Sequence, residues 1–521
     1  MKTLLFLHLL SIHVVFASSP TAVETFNSMG LYWETSGGAD VTCKVEYRNT
    51  ESNQWRPALD LWWAGSEYRG SVLDLKAGTE YEFRLKKGGE LATLSKSTWS
   101  DAFEITSEKQ MSRAQVSVAI LEGGSEERGY VVYDFENAIV DADNEGMHCL
   151  TIDADYVIVR NGAFINAVDS AIVVEENRHH VVIEGVVVEN WGHKVAGYDV
   201  SDRIGGITLR EGCSQVVIQG CKIGSPRFDA WDWGNGDGAP AGENHPHGAF
   251  GIACPDEPAR LSNNVIRYNL LQGKVGHRLE DGMGAFTGNF SEQGFPGHDS
   301  DIYGNHIEYC VDNGIESEGG GMNIRVYNNY IDHAYTPLGT KAVSLGPAYF
   351  IRNVAWRSLP AEGRSMKFFK GGGEGMRYFL HNMTLSNAKN CYNRGIDTEG
   401  GALMARNNLF LICEDGIGSE PFSIGSKESS DFDYNLSNGA VNLMNGKSEP
   451  HGVRDTPTFR EDHGPGVLGR FQLAKSSPGY DQGIVLPNVN TAFEGEAPDI
   501  GAHEFGSPEL VFGPAAWKKA E

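Results

Sequence analysis

The sequence predicts an all-β protein in which a right-handed parallel β-helix, a solenoid, follows a small β-sandwich. Three observations carry this prediction. A short apolar phrase ending in a turn residue recurs at intervals as tight as 24 residues, a period that marks a repeat architecture. The strands between the turns are short and almost no helical periodicity accompanies them, which fits coils that pair edge to edge. Ahead of the first phrase lies a stretch of alternating apolar and polar residues that does not share the repeat.

The chain ends and composition set the outer limits. Lys2 precedes an apolar run from Leu4 to Phe16 that closes on Val15-Phe16-Ala17, a charged, then apolar, then small-residue order that predicts a signal peptide over residues 1–17 with cleavage near Ala17. The run is too short to span a bilayer and no later stretch reaches that length, so a secreted or periplasmic protein without a membrane span is expected. The rest of the 521 residues exceeds what one globular core holds, which calls for two domains or an elongated solenoid. A formal charge of −26 with no basic stripe makes nucleic acid and anionic membranes poor partners. It also disfavours a polyanionic substrate unless a cation or a local basic patch intervenes. The eight cysteines are dispersed without a CxxC pair, so no zinc site is read. Cys213 and Cys221 are the pair best placed to bridge locally; the alternative is buried thiols in the solenoid core.

Between Pro20 and about Thr106, the segments Gly30-Leu-Tyr-Trp33, Val41-Thr-Cys-Lys-Val-Glu-Tyr47 and Tyr81-Glu-Phe-Arg-Leu85 alternate as half-buried strands do. The stretch Leu75-Lys-Ala-Gly-Thr-Glu-Tyr81 resembles the L-x-P-G-T-x-Y signature of fibronectin type III domains, with Ala77 in place of the usual proline. That resemblance implies a domain over residues 18–107 with Trp33 in its core and the Tyr81 hydroxyl tied back to the backbone. The Trp62-Trp63 pair is either an interdomain contact or a sugar platform, the former being favoured.

The repeated phrase reads Val182-Ile-Glu-Gly-Val-Val-Val188, Val217-Ile-Gln-Gly-Cys-Lys-Ile223, Ile302-Tyr-Gly-Asn-His-Ile307, Val326-Tyr-Asn-Asn-Tyr-Ile331, Phe350-Ile-Arg-Asn-Val-Ala355 and Met404-Ala-Arg-Asn-Asn-Leu409. Its turn residues align as Asn161, Gly185, Gly220, Asn269, Asn305, Asn329, Asn353, Asn382, Asn407 and Asn435. Asparagine suits the place twice, since it tolerates a left-handed backbone and its amide can bond the same amide one coil away. No leucine frame supports a leucine-rich repeat, and the period is too short for a propeller blade. On these phrases residues 138–505 resemble the pectin-lyase-like superfamily of right-handed parallel β-helices. The ending Ser477-Pro-Gly-Tyr-Asp-Gln-Gly483 with Pro498-Asp-Ile-Gly-Ala-His-Glu504 is similar to the closing motifs of such domains, with His503 in place of a tyrosine. Residues 108–137 lack the phrase and are expected to cap the open end, and residues 506–521 form a C-terminal tail.

A second phrase supplies another strand per coil, including Gly206-Ile-Thr-Leu-Arg210, Asp312-Asn-Gly-Ile-Glu-Ser-Glu318, Lys341-Ala-Val-Ser-Leu345, Ser365-Met-Lys-Phe-Phe369 and Arg394-Gly-Ile-Asp-Thr-Glu399. With Ile207, Ile315, Val343, Met366 and Ile396 inward, alternation turns Glu316, Glu318, Ser344, Lys367, Phe369, Asp397 and Glu399 outward. Lys367 would stand one coil from Asp397 and two from Glu316. Glycoside cleavage needs an acid and a second carboxylate, and carboxylates held close raise at least one pKa. Glu316, Glu318, Asp397 and Glu399 are therefore the catalytic candidates, with Lys367 to orient or tune them.

The superfamily resemblance implies a carbohydrate-active protein acting on a polysaccharide or oligosaccharide. A glycoside hydrolase is the first reading, a polysaccharide lyase with Lys367 as base the second, and a non-catalytic binding or adhesive protein the third. Substrate contacts are expected from Arg210, Trp231, Trp233, His247 and Ser344, the tryptophans and histidine lying in a long insertion of the kind that carries function. His245 and His247, or His298-Asp-Ser-Asp301, could hold a metal only with ligands that spacing does not supply. No cofactor is predicted, although a structural or substrate-bridging calcium ion is compatible. Asp281, Asp312 and Asp415 read as turn caps.

Overall fold

A computed structural model describes residues 19–111, 116–193, 195–196, 204–230, 244–245, 249–254, 262–285, 294–340, 343–358, 369–385, 396–399, 402–411, 422–424, 431–439, 441–443 and 448–520. The first domain is a sandwich of eight antiparallel strands: β1 (Thr21–Glu24), β2 (Met29–Glu34), β3 (Cys43–Asn49), β4 (Arg56–Pro57), β5 (Trp62–Trp63), β6 (Glu67–Val72), β7 (Glu80–Lys87) and β8 (Glu90–Ser97). One sheet is ordered β1-β2-β6-β5 and the other β4-β3-β7-β8. Alternation fills the space between them: Val45, Tyr47, Phe83 and Leu85 are buried while their strand neighbours face out. Trp33 lies in this core, and the Tyr81 hydroxyl accepts the Lys76 N–H at 3.0 Å, as the corner motif predicts.

The remainder winds into a right-handed parallel β-helix with three faces. The first face is a sheet of twelve parallel strands from Ile105–Gln110 to Asp431–Asp433. The second face carries strands such as Val187–Glu189 and Leu409–Leu411, and the third carries Ile172–Val174, Met283–Ala285 and Ile396–Glu399. The second and third join around a corner where one element, His306–Glu316 or Tyr330–Thr340, runs through both. The interior is a continuous column in which Ile302, Val326, Phe350 and Phe379 stack from one coil to the next. Coil pairing begins earlier than the phrase implies. Ile105–Gln110 pairs with Tyr130–Asp134, and Val118–Ile120 with Leu150–Ile152, so residues 108–137 carry coil strands as well as a cap. The phrase is absent there because the turn is made by Glu136 and Asn137, both left-handed.

The two properties for which asparagine suits the turn fall on different residues. The left-handed place is held by Asn161, Gly185, Gly220, Tyr268, Gly304, Asn328, Arg352, His381, Asn407 and Tyr434. The next residue forms the ladder: Asn269, Asn305, Asn329, Asn353, Asn382 and Asn408 each donate to the amide one coil on at 2.8–3.1 Å, and Asn435 closes the series by donating to the Glu449 carboxylate at 2.9 Å. Asn161, Gly185, Gly220 and Asn407 thus belong one place earlier than the sequence alignment set them. The ladder residue beside Asn407 is Asn408, and Asn407 instead bonds the Ile484 carbonyl.

The sandwich is seated on the outer surface of the first face. Tyr303 stacks on Tyr327 and Tyr349 on Tyr378 beneath it, and Ser71 donates its N–H to the Tyr349 hydroxyl. Arg325 and Asp301, both fully buried, pair at 2.5 Å, with Thr25 donating to Asp301 and Tyr32 to Asp299. A buried ion pair persists only when its remaining polar atoms are also satisfied, and here the sandwich contributes those partners. The segment His298-Asp-Ser-Asp301 therefore serves the domain seam rather than a metal, and the His298 Nδ1 accepts the Met322 N–H. Trp62 packs against the same seam and Trp63 against Tyr68, which makes the pair a packing contact.

Beyond the last coils the chain runs back along the ladder corner to a short helix, Pro514–Ala520. Trp517 covers Gly185 and Gly220, where an added Cβ would come within 3.1 and 2.1 Å of its ring. Cys43, Cys149, Cys213, Cys221, Cys254 and Cys310 are buried free thiols, so Cys213 and Cys221 do not bridge. Cys391 and Cys413 lie outside the described residues. Among the described residues no helix is long and apolar enough to cross a membrane.

Candidate functional site

Strand register on the third face decides which side chains meet. Met283, Ile315, Leu338, Phe369 and Ile396 align on successive coils, and the first four are buried. The neighbouring row reads Gly284, Glu316, Gly339, Lys370 and Asp397, with Gly372 paired to Glu399 two places further on. Two strands are therefore shifted from the sequence reading. Leu338, not Val343, fills the inward place on its coil, and Val343 is buried in the turn beyond. Phe369, read as outward, is inward and opens the strand Phe369–Gly372, while residues 365–368 lie outside the described residues. The place one coil from Asp397 and two from Glu316 is consequently held by Lys370; Lys367 lies outside the described residues. Lys370, Asp397 and Glu399 are placed here by register alone.

Around Glu316 the geometry is explicit. The strand ends at Glu316, which is half-buried, while Glu318 just beyond it is only 7% exposed. An added Cβ on Gly284 would lie 2.9 Å from the Glu316 Oε2. One on Gly339 would lie 3.4 Å from the Glu318 Oε1 and 2.5 Å from the Asn313 Oδ1. The two glutamates thus reach over glycines on either side of the Glu316 coil, where the absence of a side chain leaves room for their carboxylates. Asn313, fully buried, donates its Nδ2 to the Glu316 Oε1 at 3.2 Å and its backbone N–H to the Asp281 Oδ1 at 2.5 Å. Asp281, expected as a turn cap, bonds across coils to Asn313, and the chain Asp281–Asn313–Glu316 makes it part of the site.

Electrostatics follow from this crowding. Burial pushes the Asp281 carboxyl well above the usual range, and Glu316, Asp312 and Glu280 push it further, which favours its neutral form. Burial and Asp281 likewise raise the Cys310 thiol. Glu280 escapes a reading based on alternation because it precedes its strand, and Asn313 because it is a buried polar residue within its own; the doublets Glu280-Asp281 and Asp312-Asn313 at equivalent places on adjacent coils are the signal the sequence offers.

The other expected contacts are dispersed. Arg210 pairs with Glu175 at 3.1 Å, three coils before Glu316 and so about 14 Å away at ~4.8 Å per coil. Ser344 sits in the turn after its strand, its N–H donating to the Gly319 carbonyl at 3.1 Å. Trp231, Trp233 and His247 lie outside the described residues. Asn244–His245 pairs antiparallel with Val195–Ala196. Among the described residues no group of three or more His, Cys, Asp or Glu converges as a metal site.

No family model and no curated protein matches the sequence. Several solved structures are similar in fold. Pectate lyase Pel9A aligns over 78% of this chain and 91% of its own at 13% identity with a TM-score of 0.40. The family 28 exopolygalacturonase of Yersinia enterocolitica aligns over 82% and 99% at 9% identity with a TM-score of 0.27. Pectate lyase PelI from Erwinia chrysanthemi aligns over 74% and 90% at 9% identity with a TM-score of 0.21. From its own strand register, the chain is an all-β protein whose right-handed parallel β-helix bears a β-sandwich on its first face and a carboxylate cluster on its third.

Proposed function

We propose that this protein is a carbohydrate-active enzyme that hydrolyses a polysaccharide at the Glu316 cluster. The observation that carries the reading is the pair Glu316 and Glu318, whose carboxylates overhang Gly284 and Gly339 on neighbouring coils, with Asp281 tied to Glu316 through Asn313. Glycoside hydrolysis uses two carboxyl groups about 5–10 Å apart. Coil spacing puts Asp397 three steps, roughly 14 Å, from the Glu316 row, so Glu318 is the nearer partner. One carboxylic acid gives its proton to the glycosidic oxygen as the bond to the anomeric carbon breaks. The other carboxylate attacks that carbon or takes a proton from the attacking water. Asp281, buried behind Glu316, acts as a positioning residue that holds Asn313 and keeps negative charge from accumulating there.

One observation favours β-elimination as a second reading: the register sets Lys370 beside Asp397, which offers a base where Lys367 was expected. The sandwich reads as a fibronectin type III-like module, supported by its strand order and the Tyr81 corner. Export is supported by the apolar run before Ala17, which lies outside the described residues.

The test is incubation with a panel of pectate, xylan, mannan and β-glucan, following reducing ends and the ultraviolet absorbance of unsaturated products. Reducing ends alone identify hydrolysis and both signals identify elimination. Glu316→Gln should lower turnover at least 100-fold while the fold is retained. Silence on the whole panel, or full activity in Glu316→Gln, would refute the assignment, and binding without turnover would point to an adhesive protein.

A further inference from the structure

Away from the carboxylates, a cavity of about 180 Å³ opens where the sandwich, the segment following it and the early coils meet. Phe26 comes from the sandwich, Trp99 and Phe103 from the connecting segment, and Tyr130 from the first face; His180 and Gln215 come from turns entering that face. Mutual contacts hold the rings in place. Phe26 and Trp99 meet edge to face at 5.3 Å, Phe103 and Tyr130 at 5.2 Å, and His180 stacks on Tyr156 at 4.3 Å. The cavity is pre-formed, since no ring can swing in to fill it without abandoning a partner.

The lining carries no Asp, Glu, Lys or Arg. The nearest guanidinium, Arg267, lies over the Phe26 ring at 3.9 Å and is committed to Asp101, Gln219 and Tyr303. Two polar groups at the rim are uncommitted: the Gln215 amide and the His180 Nε2 make no hydrogen bond to any described residue, the Nδ1 of His180 being engaged with His179. Burial and His179 push His180 down to about 4, so its ring is neutral near neutral pH.

Those features select a ligand class. A charged ligand would be desolvated with no counter-charge. A purely apolar one would cover the amide and the imidazole without replacing their water. A sugar ring matches both halves, presenting C–H faces to the aromatic walls and hydroxyls that donate to and accept from Gln215 and His180. We propose that this cavity is a second carbohydrate-binding site that takes one unit of a neutral glycan chain, separate from the Glu316 cluster and independent of the reaction assigned to it.

The test uses the full chain and measures binding of cellohexaose, xylohexaose and mannohexaose by calorimetry, with the galacturonate hexamer as the charged control. Ser100 is exposed on the cavity lining, so Ser100→Trp can block the opening from outside the packed core. The expected result is binding of at least one neutral hexaose that weakens at least tenfold in Ser100→Trp and in the double variant His180→Ala, Gln215→Ala, while polysaccharide turnover and the circular dichroism spectrum are unchanged. Absence of neutral-hexaose binding in the parent protein, equal affinity in parent and both variants, or preference for the galacturonate hexamer would each overturn the proposal. A variant that loses its native spectrum is replaced in the comparison by the other, which perturbs the site from a different side.

Discussion

Asn328 and Asn329 are adjacent, alike in chemistry and predicted to respond differently to substitution. Asn329 is fully buried in the ladder. Its Oδ1 accepts the Asn305 backbone N–H at 3.1 Å and the Asn305 Nδ2 at 3.0 Å, and its Nδ2 donates to the Ile302 carbonyl and the Asn353 Oδ1, both at 3.0 Å. Asn329→Ala strands the Asn305 N–H, at about 1–3 kcal/mol for an unsatisfied buried group. It also removes one donor each from Ile302 and Asn353, which retain other partners, at roughly 0.5–1 kcal/mol apiece. The sum is about 3 kcal/mol. Asn328, exposed with φ 53°, supplies only the left-handed backbone. Asn328→Gly should leave stability unchanged within ~0.5 kcal/mol, and Asn328→Ala should cost about 1–2 kcal/mol for a Cβ in that conformation. Denaturant unfolding monitored by circular dichroism gives the ranking, and hydrogen exchange at the Asn305 amide gives the local effect. Equal losses in Asn328→Gly and Asn329→Ala, or an Asn305 amide still protected in the latter, would refute the division of roles.

The domain seam should respond to pH. Burial, with Asp301 adding to it, lifts Asp299 from 3.8 to about 7, so the folded state prefers the protonated acid. Its contribution to stability is complete below about pH 4, where both states are protonated, and is lost as pH rises toward 7. Stability of Asp299→Asn relative to the parent should therefore climb between pH 4 and 7 and then level; a flat difference curve would show that Asp299 does not titrate there. At the site, Gly284→Ala would place a Cβ 2.9 Å from the Glu316 Oε2 and 2.7 Å from the Phe250 ring. We expect turnover to fall at least tenfold with retained secondary structure, and unaltered kinetics would mean that this carboxylate does not meet substrate.

The sequence by itself determined the coil length, the recurrence of a turn after each short strand, the alternation that fills both domains and the Tyr81 corner. Each is local, set by side-chain period and by which residues tolerate a left-handed turn. Glu316 and Ile315 were legible for the same reason, because their strand shows a clean alternation. The shift at Val343 and Lys367 came from coils where several apolar residues could each fill the one inward place, and only pairing with Ile315 and Ile396 selects Leu338 and Phe369. A strand carries no record of its register with a neighbour 24 or more residues away, yet register alone decides that Lys370 stands beside Asp397. The burial of Arg325 against Asp301, the tie from Asp281 through Asn313 to Glu316, and the aromatic cavity beside Trp99 likewise exist only once distant segments pack, since each is a contact between residues that no local period relates.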